Sequence, residues 1–203
     1  KKYDQALADY ESLVNMGSSE FYITSLKKAA LISYNYTQSF EKAYSFYDQY
    51  YFKLSDDDEK YKAALGALRS AFRISQSDAI IKYAAIVSIH PKANADEQAT
   101  AMYYAGKTHY KKNDLNAAKD NFDRAGKKAN NNQAAESRYL VAEILYKQGD
   151  KSGAEAQCNA ANDANASYPF WIAKSLLLLS DIYVDRNDLF NARAALEAVI
   201  ENF

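Results

Sequence analysis

The chain is poor in the residues that interrupt or staple a polypeptide. Its 203 residues include one Cys, two Pro and six Gly. A single Cys forms no internal disulfide. With only His90 and His109 beside it, it makes no zinc ligand set. So few Gly and Pro exclude a β-sandwich or barrel, which needs a turn roughly every 8–12 residues. No apolar run approaches the ~18 residues of a membrane span. An excess of either charge is missing too: 25 Lys+Arg face 26 Asp+Glu, a net charge of −1. That leaves no footprint for nucleic acid or an anionic membrane. The pairs Lys1-Lys2, Lys27-Lys28, Lys111-Lys112 and Lys127-Lys128 lie among acidic residues and do not change this. What the chain does have is apolar mass. With 48% apolar residues, including 18 Tyr and 9 Phe, it folds, and it is long enough for a substantial core in one or two domains.

The chain starts KKYDQALADY, with no initiator Met and no apolar signal segment behind it. It reads as a fragment or a processed chain, so its compartment is not legible from this end.

A repeat runs through the whole length. An Ala followed by apolar or aromatic residues at +4 and +7 occurs as Ala6/Tyr10/Leu13, Ala43/Tyr47/Tyr50 and Ala79/Tyr83/Ile86. It recurs as Ala118/Phe122/Ala125, Ala154/Cys158/Ala161 and Ala192/Leu196/Val199. The alanines are 37, 36, 39, 36 and 38 residues apart. Positions i, i+4 and i+7 share one face of a helix, so each anchor marks one amphipathic helix. A second helix precedes each later anchor, as in AMYYAGKTHYKKND, SRYLVAEILYKQGD and SLLLLSDIYVDRND. These stretches end in Asn113-Asp114, Gly149-Asp150 and Asn187-Asp188. Gly, and next best Asn, tolerates the left-handed conformation that ends a helix, and Asp then caps the following one. Each unit is therefore helix A, a tight turn, and helix B, with an Ala where the two approach closely.

The connections between units agree with this. Asn94 and Glu97 have capping-box spacing, and Ser55 with Asp56–Asp58 can cap the helix through KAALGALRSAF. Pro169 begins a helix and Pro91 follows one. In the third unit RISQSDA is one residue short of the usual turn, which leaves its phase open.

Six such units, with a close-packing Ala and an Asn-Asp or Gly-Asp turn, resemble the tetratricopeptide repeat. That family's period is usually about 34 residues. The family's Trp-Leu-Gly start is replaced here by Met102 and Leu176 at the Trp place and Ala105-Gly106 at the Leu-Gly place; its closing Pro survives only as Pro91. The resemblance implies an all-α, right-handed α-solenoid as a single domain over 1–203. Its segments would be 1–17 (a helix B without its helix A), 18–54, 55–91, 92–130, 131–166 and 167–203. Because the chain opens on an orphan helix B rather than a polar cap, more repeats are expected before Lys1. The long period and the closing stretch FWIAKSLLLLSDIYVDRNDLFNARAALEAVIENF also resemble Gram-negative periplasmic and outer-membrane-associated repeat proteins. That resemblance implies a bacterial envelope location.

In this family one face of helix A lines a concave groove. Carried across, the groove places are Thr100, Tyr103, Lys107, Tyr110 and Lys111, then Glu136, Tyr139, Glu143, Tyr146 and Lys147, then Lys174, Leu177, Asp181, Val184 and Asp185. Tyr103 and Tyr110 are seven apart, as are Tyr139 and Tyr146, so each pair shares a face. Tyrosines lining a groove should be partly exposed and independent of the core. Tyr10, Tyr47, Tyr50 and Tyr83, at anchor places, should be core. The family's chaperone-binding members clamp a carboxylate with a Lys and an Asn one turn on. Here Lys28 takes the Lys place, but Ile32 takes that of the Asn.

No catalytic constellation stands out. Cys158 sits at a core place with no His beside it, and neither His has a recurring acid or nucleophile partner. Asp56-Asp57-Asp58-Glu59 lacks the alternation and central Gly of a calcium loop and suits a helix N-terminus. The expectation is a non-enzymatic scaffold without cofactor or metal that holds a protein or peptide segment in the groove. The alternatives are a spacer within a longer repeat protein, or a module attached to an enzyme outside this stretch.

Overall fold

The computed structural model describes residues 2–17 and 19–202. Lys1, Ser18 and Phe203 lie outside the described residues, and with them the Lys1-Lys2 pair and the expected terminal positions of the first and last helices. The helices are α1 (Lys2–Met16), α2 (Tyr22–Asn35), α3 (Phe40–Lys53), α4 (Asp57–Arg73), α5 (Ser77–Ile89) and α6 (Ala95–Lys111). They continue with α7 (Leu115–Lys128), α8 (Asn132–Lys147), α9 (Lys151–Ala164), α10 (Pro169–Val184) and α11 (Leu189–Asn202). No strand occurs among the described residues. The fold is all-α, a repeat of helix–turn–helix pairs of the solenoid class. By packing, the chain forms two compact units, Lys1–Glu97 and Gln98–Phe203. Within the first, each helix from α1 to α5 packs on the next. Within the second, α7 to α11 do the same, and α8 also meets α10.

The caps have clear causes. Asp56, Asp114 and Asp150 each accept the N–H three residues on, at 2.8, 3.2 and 2.8 Å. Asn94 and Glu97 bond reciprocally, side chain to backbone, at 2.9 and 3.1 Å. Pro169 opens α10, where its missing N–H costs nothing.

All five A–B turns share one left-handed residue. Gln38, Ser75, Asn113, Gly149 and Asn187 each take a positive φ, between 52° and 84°. Four residues beyond the cap that follows each, the N–H of Ala43, Ile80, Ala118, Ala154 and Ala192 bonds back to the cap carbonyl. The third anchor is therefore Ile80, and the expected Ala79 lies one residue early. Ser75 and Gln76 make the same turn as Asn-Asp does elsewhere, and the helix is phased from that turn. Ile80, Ala84 and Val87 carry the expected stripe, and the expected Ala79 and Tyr83 are buried beside it.

The end helices depart from the pattern as well. The buried residues of α1 are Leu7 and Val14, one place on from Ala6/Tyr10/Leu13; Ala6 and Tyr10 pack at the edge. In α11, Ala192 and Ala195 are buried, but Leu196 is exposed. In the middle of each unit Ala43, Ala118 and Ala154 are fully buried, as are Phe122 and Cys158.

Two measurements check this packing. Ala118→Leu should cost about 1–3 kcal/mol by overpacking. Asn116→Leu, on the exposed side of the same helix, should stay within about 0.5 kcal/mol. Urea denaturation of both variants would show equal stability if the anchor register were wrong. In the turns, a left-handed non-glycine residue costs roughly 1–2 kcal/mol, partly offset by the greater unfolded-state freedom of glycine. Ser75→Gly should therefore raise stability by up to about 1 kcal/mol and Gly149→Ala lower it by at least about 1 kcal/mol. No change in either midpoint would remove the shared turn.

Candidate functional site

The A helices of successive pairs meet through their side chains. In the second unit tyrosine hydroxyls join these helices through carboxylates. Tyr103 donates to Glu136 at 2.7 Å, and Lys107 reaches the same carboxylate at 2.9 Å. Tyr110 donates to Glu143 at 2.8 Å and Tyr146 to Asp185 at 2.9 Å. Lys147 donates to the Tyr110 hydroxyl, with its ammonium 4.6 Å from the ring centroid. The first unit repeats the motif, Tyr61 donating to Glu97 at 2.6 Å.

These bonds correct one expectation. Tyr103 and Tyr139 are only 9% and 7% exposed, so their rings belong to the core. Tyr103 lies 6.2 Å from Phe122 and Tyr139 5.7 Å from Trp171, between centroids. Burial, and for Tyr103 the carboxylate it bonds to, push both phenols well above the usual range. Tyr110 and Tyr146 are half-buried and tied to the next helix, not independent of it. The physical reason is the spacing of the A helices: a ring fills the gap between two of them, and the hydroxyls of Tyr103, Tyr110 and Tyr146 find acceptors on the far side.

Between α8 and α10 the same face opens into a hollow of about 310 Å³. Tyr139, Glu143, Tyr146 and Lys147 form one wall, and Lys174, Leu177, Leu178 and Asp181 the other. The structure thus gathers seven of the fifteen expected groove places here: Tyr139, Glu143, Tyr146, Lys147, Lys174, Leu177 and Asp181. Tyr103, Lys107 and Tyr110 lie on α6, bonded to α8, while Lys111 stands exposed in the last turn of α6. Leu177 is 42% exposed and is flanked by Lys174, which lies over the Tyr139 ring, and by Asp181. Phe170 and Val184, 64% and 54% exposed, continue the ridge at seven-residue spacing. Phe170 was not among the expected places, although its distance from Leu177 would have found it.

The other candidates have structural explanations. Cys158 is fully buried, and burial, with Glu155 adding to it, pushes its thiol up to about 12. His90 stacks on Tyr61 at 4.5 Å, with Nε2 3.3 Å from Asp57. His109 Nδ1 lies 3.2 Å from Asp114. In the acidic run Asp56 caps α4, and Asp58 pairs with Lys92.

The second helix pair needs a register correction. Ser39 bonds six residues back to Ser33, where Gln76, Asp114, Asp150 and Asp188 each bond five back. This extra turn residue moves the helix-A places by one, so Lys27 and Leu31 take the places expected for Lys28 and Ile32. Lys28 is exposed, and Ile32 is buried.

No protein-family model and no curated protein matches this sequence. Solved structures do. The crystal structure of BtubC (BKLC) from P. vanneervenii superposes with a TM-score of 0.65 at 13% identity, covering 98% of this chain and 87% of that one. A crystal structure of a Podosopora anserina putative kinesin light chain with nearly identical TPR-like repeats gives a TM-score of 0.61 at 13% identity, covering 91% and 96%. At this identity the likeness speaks for the fold alone, and the fold is that of a TPR-like helical repeat.

Proposed function

We propose that this chain is a non-enzymatic protein-interaction scaffold whose second unit holds a segment of a partner on its helix-A face. The α8–α10 hollow carries the reading. There an exposed Leu177 stands between a cation and an anion, Lys174 and Asp181, and the Asp181 carboxylate has no hydrogen bond or ion pair among the described residues. Exposed apolar side chains beside unspent charges are what a partner needs for anchoring and register. The core tyrosines serve instead as the fixed wall of the site. The narrower placement, a bacterial envelope protein, is supported by the long period and the closing stretch alone.

Stability and binding should separate at this site. Leu177→Ser removes an exposed side chain and should change stability by no more than about 0.5 kcal/mol. Tyr139→Ala empties part of the core and should cost about 3–5 kcal/mol. In pull-downs from native extract, with thermal melts alongside, Leu177→Ser and Asp181→Lys should lose the partner that wild type retains; an anchor of this kind carries about 2 kcal/mol or more of binding. Unchanged capture by both variants would leave the spacer reading in its place. A large drop in melting temperature for Leu177→Ser would move that residue into the core.

A further inference from the structure

The first unit has a hollow of its own, about 280 Å³, between α2 and α4. Lys27 and Leu31 line it from α2, and Lys62, Leu65 and Arg69 from α4. Tyr47 and Tyr50 of α3 make the floor. We propose that this hollow is a second binding site, which takes an acidic side chain beside an apolar one from a segment of a partner protein.

Among the described residues three cations line the hollow, and no carboxylate does. The carboxylates within reach are already shared. Glu59 accepts Lys27 and Lys62, both at 2.7 Å, and the Tyr50 hydroxyl at 2.8 Å. One carboxylate thus serves two ammoniums, and Lys27, Lys62 and the Tyr50 hydroxyl together hold its carboxyl down to about 2. Arg69 is 3.9 Å from Glu97, which also accepts the Tyr61 hydroxyl. Three cations therefore share two carboxylates, which leaves one positive charge in excess, and the Arg69 pair is a loose one at 3.9 Å. The three cations are 42%, 62% and 45% exposed, so an incoming carboxylate need not displace a buried pair.

The floor supplies the apolar half. A Cβ at Gly66 would sit 2.4 Å from the Tyr47 ring. Glycine there makes room for the ring against α4, and Leu31 and Leu65 line the same hollow.

A comparison with the α8–α10 hollow shows that the charge belongs to this site and not to the fold. Thirteen, ten and six residues before the turn, α4 carries Lys62, Leu65 and Arg69, whereas α10 carries Lys174, Leu177 and Asp181. On the facing helix Leu31 stands where the other hollow has Glu143. The backbone places are the same, but one hollow has balanced charge and the other is positive. Electrostatic complementarity of this kind selects partners and speeds association. The proposal concerns residues outside the α8–α10 site and stands without that reading.

The test uses the full chain and a fluorescent synthetic peptide, Glu-Leu-Glu flanked by Gly-Ser spacers, at low salt. Binding should be saturable and should weaken about tenfold or more for Gln-Leu-Gln, and also for Glu-Ser-Glu. It should weaken again between about 10 and 150 mM salt. Lys62→Gln and Arg69→Gln should each reduce it severalfold, and Lys62→Glu/Arg69→Glu should abolish it with the helical circular dichroism retained. Lys119→Glu/Lys128→Glu, an equal change of net charge elsewhere, should leave it unaltered, as should Leu177→Ser. No binding of Glu-Leu-Glu overturns the proposal. So does equal loss in the Lys119/Lys128 control, or displacement of the peptide by an equal concentration of inorganic phosphate, which would mark a generic anion site.

Discussion

Every pair in this chain turns on one residue held at positive φ. The turn between helices A and B is too short to reverse the chain with right-handed residues alone, so Gln38, Ser75, Asn113, Gly149 and Asn187 adopt the left-handed region. The cap residue that follows starts the next helix, and the residue four beyond it lands in the crossing of the two helices. The turn therefore sets the phase of both. One residue more or fewer around it rotates a helix by about 100°, which changes the side chains a pair presents to its neighbours. That is why Lys27 rather than Lys28 enters a hollow.

Once the phase is set, the A helices are held to one another by tyrosine–carboxylate bonds. Tyr61 to Glu97, Tyr103 to Glu136, Tyr110 to Glu143 and Tyr146 to Asp185 are variations on one arrangement. A hydrogen bond to a charged group contributes about 1.5–3 kcal/mol when shielded, and less where water competes. Tyr103 is of the first kind and Tyr146 of the second. A chain rich in tyrosine can in this way fill the gaps between helices and leave no buried hydroxyl of those rings unsatisfied. The ring that looked like a ligand contact becomes the wall behind one.

The two units then show how little the backbone says about the partner. Each has a hollow between successive A helices, at the same places relative to the turn. Arg69 and Asp181 occupy corresponding positions with opposite charge, as Leu31 and Glu143 do with different polarity. Stacking needs only that neighbouring A helices approach through their small and aromatic residues. The rim positions are free to vary, and recognition rests on them.

The sequence by itself determined the helices, their pairing and most of the crossings. A period of 36 to 39 residues, with Asn-Asp or Gly-Asp before each amphipathic stretch, has few other physical meanings. Ala118, Phe122, Ala154 and Cys158 were readable as core because small or apolar residues recur where two helices must meet. The groove places of α8 and α10 were readable by counting. What only the tertiary structure decided was register and depth. Ser75 and Gln38 carry no glycine-like signature, since a non-glycine residue enters the left-handed region only when the rest of the turn holds it there. The burial of Tyr103 and Tyr139 depends on how closely the next helix A approaches, a distance not encoded in either helix alone. The positive hollow of the first unit stayed hidden for the same reason. Lys27 is far in sequence from Lys62 and Arg69, and their charges add only after the extra turn residue has rotated Lys27 to face them.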